Sequence, residues 1–267
     1  MTPKTGLATA LVAAIVAALV SAAILLVVSR TAPGVVDAPG AALNEKAVID
    51  IVRDYLTKHP EILVDMTTEL DKRQQAEESA KQQKVIGDNA DALFRSPLSY
   101  TAGNPNGDVT VVEFFDYNCG YCRRALPELV KLIDSDDKVR VVFKELPIFG
   151  EESEWAAKAA LAAGKQGKYF EMHQKMYAAP GKADKEKALR VATEIGLDVP
   201  QLEKDMQDPS IAKALEETKE LAQKLGLQGT PLYLIGDRTI AGAPDDLYDQ
   251  LVAKIGEVRE KGCNVTC

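Results

Sequence analysis

One junction constrains this chain more than any other feature. Val109-Thr-Val-Val-Glu-Phe-Phe115 is a run of the β-branched and aromatic residues that buried strands favour. Cys119-Gly120-Tyr121-Cys122 follows almost at once and opens a helix-type pattern reaching about Asp134. Lys138–Lys144 (KVRVVFK) then reads as a second strand. A strand, helix, strand run of this length predicts a right-handed crossover joining two parallel strands. Glu152 to about Leu225 is helical in pattern. Leu232–Ile235 and Arg238–Ala241 flank Gly236-Asp237 as a hairpin, and Pro244–Lys261 is a final helix. The predicted class is α/β.

Position gives the cysteine pair its meaning. A sulfur at a helix amino terminus faces unpaired backbone N–H groups and the positive end of the dipole, which favour a thiolate. Cys119 is therefore the expected nucleophile of thiol–disulfide exchange. Cys122, one turn on and less exposed, is expected to resolve the mixed disulfide. The competing reading is zinc, with Cys263 and Cys267 completing four thiolates. An i, i+3 pair and an i, i+4 pair so far apart in sequence do not resemble a compact zinc module. No metal and no other cofactor is expected. Cys263 and Cys267 follow Gly262, and are expected to close a short structural disulfide worth on the order of 2 kcal/mol. The alternatives for that pair are a link between chains and a second redox relay.

The amino-terminal part bears on compartment. Leu7–Val28 contains only Ala, Val, Leu and Ile apart from Thr9 and Ser21. As a helix it would reach roughly 33 Å, enough to cross a hydrocarbon core of about 30 Å. The run is longer than a signal-peptide core and lacks a good small-residue cleavage site, so an uncleaved anchor is expected, with a cleaved leader as the alternative. Either way residues from about 31 onward are exported, where disulfides persist. The expected organisation is an anchor at 1–30, a linker at 31–42, a helical stalk at 43–95 and a catalytic domain at 96–267 with a helical insertion at about 150–225. In the stalk, Val48, Ile51, Val52, Tyr55 and Leu56 recur along one helical face, and Ile62, Leu63, Met66 and Leu70 continue the pattern. Such a stripe needs a partner, and self-association through 43–85 is expected. The alternative is a helical hairpin folded back on its own chain.

The stretch from Asn104 to Arg124 resembles the exported DsbA-like branch of the thioredoxin superfamily. Thr230-Pro231 before a strand is similar to that family's cis-proline loop, and Pro127 matches a proline that kinks the active-site helix. The resemblance, over roughly 97–260, implies a thioredoxin fold with an inserted helical domain. It implies a cis Pro231 beside the Cys119 sulfur, with Thr230 lying near both sulfurs and its backbone free to pair with an extended client. It also implies that Glu113 is a buried acid assisting proton movement at Cys122. The residue itself leaves open a solvent-facing Glu or a pair with Lys144. His173 and Trp155 read as packing residues, and His59 as structural.

The resemblance implies a periplasmic thiol:disulfide oxidoreductase at the inner membrane. Its clients would be unfolded or misoxidised exported proteins, and a membrane redox partner would reset the pair. Gly120-Tyr121 carries no charge between the cysteines. It resembles the isomerase and copper-tolerance relatives more than the primary oxidases, so isomerase or reductase action is favoured over DsbA-type oxidation. A non-catalytic peptide-binding or copper-handling protein is the reading from another class. Thirty-two Lys and Arg against 40 Asp and Glu leave a net charge of -8, which argues against nucleic acid as a partner.

Overall fold

The computed structural model describes residues 44–263. The chain divides into two compact units at Asp71/Lys72. The first holds helix α1 (Glu45–Lys58) and the start of α2 (Glu61–Asp88). Asn44 caps α1, its side chain accepting from the Ala47 amide at 2.8 Å. No residue of α1 is buried, and Val48, Ile51, Val52, Tyr55, Leu63, Met66 and Leu70 are exposed in the single chain. The expected stripe is thus helical and mostly exposed in the single chain, with Leu56 and Ile62 half-buried. The apolar run at 7–28 lies outside the described residues. Among those described, no helix is long and apolar enough to cross a membrane.

In the second unit α3 (Ala90–Phe94) follows the end of α2. Then come β1 (Tyr100–Gly103), β2 (Val109–Phe115), α4 (Gly120–Ser135) and β3 (Val139–Glu145). Five helices succeed them: α5 (Glu151–Lys165), α6 (Tyr169–Ala178), α7 (Lys185–Glu194), α8 (Val199–Asp205) and α9 (Pro209–Lys224). Strands β4 (Leu232–Ile235) and β5 (Arg238–Ala241) and helix α10 (Leu247–Lys261) close the chain. The sheet order is β1-β3-β2-β4-β5, with β2 and β3 parallel and every other pair antiparallel. This is a thioredoxin-like sheet with a helical insertion after β3.

β2 is buried along its whole length because both sheet faces are covered. Val109, Val111 and Phe115 face a core built with Ala125, Leu129 and Leu132 of α4 and Leu251 and Ile255 of α10. Val112 and Phe114 face the opposite core, with Ile86, Leu93, Phe94 and Leu221. Residues 86–94, which the sequence places in the stalk, therefore supply one cover of the sheet, and the compact unit begins earlier than the expected boundary at 95/96. β1 is absent from the sequence reading because four residues on an edge leave no periodic signature. Its position comes from pairing Tyr100 to Phe143 and Gly103 to Arg140. Gly103 turns the chain there at φ +74°, where a Cβ would meet the Val139 carbonyl at 2.6 Å.

Candidate functional site

The site lies where β2 ends and α4 begins. Cys119 is the N-cap of α4, and its amide donates to the Asp116 carbonyl at 3.0 Å, forming the turn. Asp116 fixes this turn. Its buried carboxylate accepts from the amides of Asn118 (2.7 Å) and Ile148 (2.7 Å), from the Phe149 amide (3.2 Å) and from the Ser153 hydroxyl (2.8 Å). Asn118 extends the clamp, donating to the Ala183 carbonyl at 2.9 Å and accepting from the Ala183 amide at 2.7 Å. The redox turn is therefore tied to the loops before α5 and α7. The sequence does not mark either residue, since a polar pair beside a strand end carries no periodic signal.

The two sulfurs behave oppositely. Cys119 is 4 % exposed and Cys122 1 %, and both are free thiols. The Cys122 thiol bonding to its sulfur brings Cys119 down to about 5 against the opposing effect of burial; Thr230 and the amides of Cys122 and Tyr121 assist. Burial, the bond to Cys119 and the Glu113 charge push the Cys122 thiol far above its ordinary value. At neutral pH the pair is thus one thiolate and one thiol, the arrangement needed for attack and then resolution.

Thr230 and Pro231 stand opposite, joined by a cis peptide bond. The Cys119 thiol donates to the Thr230 carbonyl at 3.2 Å. The Thr230 hydroxyl makes no hydrogen bond to the thiol form, yet lies close enough to both sulfurs to favour the thiolate of either. Tyr121 is 59 % exposed, with the Arg124 guanidinium 5.0 Å from its ring centroid. Tyr121, Leu227, Thr230, Pro231, Leu232 and Ala243 line a groove of about 490 Å³ beside the sulfurs. A Cβ at Gly120 would meet nothing within 4 Å, so a side chain there would stand in open space.

Glu113 is 2 % exposed on β2 and accepts from the Tyr233 hydroxyl at 3.0 Å, its second oxygen having no partner. Burial raises its carboxyl to about 8, with the Tyr233 bond lowering it and the Cys119 charge raising it further. The solvent-facing alternative and the pair with Lys144 both fail. Lys144 points to the other face of the sheet, where its ammonium meets the Ala92 carbonyl and Glu217 (3.2 Å). A second buried acid, Glu145, accepts from Tyr169 (2.7 Å) and Tyr117 (3.3 Å), and Tyr117 also meets His173 at 3.1 Å. Burial lowers His173 to about 3, so it sits neutral in the packing.

Cys263 is disulfide-bonded, which removes it from any four-thiolate zinc site. Its expected partner Cys267 lies outside the described residues. Among the described residues no group of three or more His, Cys, Asp or Glu is placed to hold a metal ion.

A thioredoxin-like sheet, an acidic sulfur capping a helix, a buried second thiol and a cis-proline loop make up a thioredoxin-type redox site. Residues 110–256 match the DSBA-like thioredoxin domain, and the chain belongs to that family. Residues 45–77 match the copper resistance protein ScsC N-terminal domain. A thioredoxin-like oxidoreductase from Silicibacter pomeroyi is 46 % identical, with a TM-score of 0.62 over 64 % of this chain and 98 % of that one. A linker-deletion mutant of Proteus mirabilis ScsC is 31 % identical, with a TM-score of 0.64 over 86 % of this chain and 100 % of that one. The Na(+)/H(+) antiporter NhaA 1 of Salinispora arenicola is 30 % identical over 146 residues, 54 % of this chain and 22 % of the antiporter. The chain thus spans about a fifth of the length of the curated antiporters it matches.

Proposed function

We propose that this chain is an exported oxidoreductase, anchored by residues 7–28, that reduces or isomerises disulfides in unfolded or misoxidised exported proteins. The observation that carries the reading is the placement of the Cys119 sulfur at the N-cap of α4, 3.2 Å from the Thr230 carbonyl of the cis-proline loop, with the Cys122 thiol buried one turn on. Cys119 attacks the client disulfide and keeps one client sulfur, and the other leaves as a thiol. Cys122 then attacks the Cys119 sulfur and displaces the client, its proton going to the departing client sulfur, and the Cys119–Cys122 disulfide forms. The Thr230 backbone offers an edge on which an extended client pairs.

Gly120-Tyr121 places no charge between the cysteines to hold the thiolate, which supports isomerase or reductase action over primary oxidation. The exposed stripe on α1 and α2, in the segment similar to an ScsC amino-terminal domain, supports assembly through 43–85, which would bring several redox pairs to one client. A membrane redox partner would reset the pair.

Refolding of scrambled ribonuclease by the full chain is the test, paired with a redox titration. Recovery of ribonuclease activity that Cys119→Ser abolishes is expected. A potential near the -120 mV of DsbA, with no isomerisation, would assign the chain to primary oxidation instead. Biological activity surviving Cys119→Ser would point to a non-catalytic binding protein.

A further inference from the structure

Positive charge gathers on one side of the redox site, and disulfide exchange itself makes no use of it. Arg123 follows Cys122 in the first turn of α4, its amide donating to the Cys119 carbonyl at 3.1 Å. Lys187 and Arg190 stand three residues apart on α7, hence on one helical face. The Asn118–Ala183 clamp holds the start of α7 against the redox turn, one residue before the Asp184 cap.

Lys187 is 2 % exposed, and its ammonium donates to the carbonyls of Ala179 (2.6 Å) and Gly181 (3.1 Å). Arg123 and Arg190 are exposed, and among the described residues neither has a carboxylate partner. The neighbouring Lys182 and Lys185 are different, being paired with Glu152 (3.0 Å) and Glu203 (3.3 Å). Three cations thus remain together in a chain of net charge -8. They feel one another: after burial, Arg123 and then Arg190 press the Lys187 ammonium toward its neutral form, and Asp184 opposes them. Keeping like charges together costs stability, which an anion arriving from outside would offset.

We propose that the exposed Arg123 and Arg190, reinforced by the charge of the buried Lys187 ammonium, form a cationic docking rim that favours client segments carrying Asp or Glu next to the disulfide cysteine. The proposal rests on the oxidoreductase reading above. The client backbone occupies the Thr230 side of Cys119, and its acidic side chains reach the insertion side. The rim steers encounter and holds the mixed disulfide, and takes no part in the exchange of sulfur bonds.

Two cysteine peptides test it, one flanked by Glu and one by Lys, each carried as its mixed disulfide with a chromogenic thiol. Cys119 of the reduced full chain attacks the peptide sulfur and the chromogenic thiolate leaves. Cys122 then releases the peptide thiol and leaves the pair oxidised. At pH 7 the Cys119 thiol is ionised, so the rates report docking. The Glu peptide is expected to react about three to ten times faster at low salt. That ratio should fall to near one in the R123Q/R190Q double variant and in about 0.5 M salt. Equal rates for the two peptides in the unaltered chain overturn the rim, as does a ratio that survives in the double variant. Loss of binding to anionic lipid vesicles in the double variant, with a flat peptide ratio, reassigns the cations to a membrane surface and also overturns it. Failure of the unaltered chain to react with either peptide would instead sink the oxidoreductase reading, and this proposal with it.

Discussion

Glu113 opposes the ionisation of Cys122 from beneath the redox turn, and both side chains are almost wholly buried. The carboxyl, raised to about 8, is mostly protonated at neutral pH and carries the charge that opposes Cys122 only as pH approaches that value.

Glu113→Gln should change both stability and the pH profile. The folded value of about 8 exceeds the ordinary 4.5, so the folded state holds the proton more tightly. The resulting penalty grows as pH rises past 4.5 and levels off above about 8. The Gln variant should therefore gain on the order of 2–3 kcal/mol at pH 7, less whatever its bond to Tyr233 loses. Urea denaturation at pH 5 and pH 8 measures this, and an equal effect at both would contradict it. Thiol alkylation should show an inflection near pH 8 in the unaltered chain that disappears in the variant.

Thr230→Val removes a hydroxyl that favours the thiolate and keeps the side-chain volume. The Cys119 titration, followed by thiolate absorbance, should move upward from about 5 by the equivalent of about 1 kcal/mol. An unmoved midpoint would mean the hydroxyl contributes nothing to the acidity of the nucleophile.

Asp116→Ala strands four donors: the amides of Asn118, Ile148 and Phe149 and the Ser153 hydroxyl. Unsatisfied buried groups predict a loss of about 3 kcal/mol or more by chemical denaturation. Exchange activity should fall as well, because the turn presenting Cys119 is no longer pinned.

Ile51→Glu tests the stripe on α1. Ile51 is exposed, with Val48, Val52 and Tyr55 near it on the helix. Light scattering of the detergent-solubilised full chain should show a smaller assembly than the unaltered protein, while model disulfide exchange proceeds. An unchanged mass would remove α1 from the assembly surface.

Much of this molecule is legible in its sequence, since strand and helix periodicities are local. The ranges of β2, β4 and β5 coincide with the alternating and apolar runs, and α4 begins at Gly120 as expected. The chemistry at Cys119 is equally local, depending on where a helix starts. Long-range pairing is a different matter. β1 is a strand because Arg140 to Phe143 offer an edge, and residues 86–94 are core because the far face of the sheet must be covered. Asp116 and Asn118 become a clamp only when loops more than thirty residues away converge on them. Which way Glu113 faces depends on the parity of its strand and on what covers that face. Residue order set the elements and the nucleophile; burial and pairing across the folded chain decided which polar groups lie beneath it, because desolvation and hydrogen bonding act through space and leave no periodic trace.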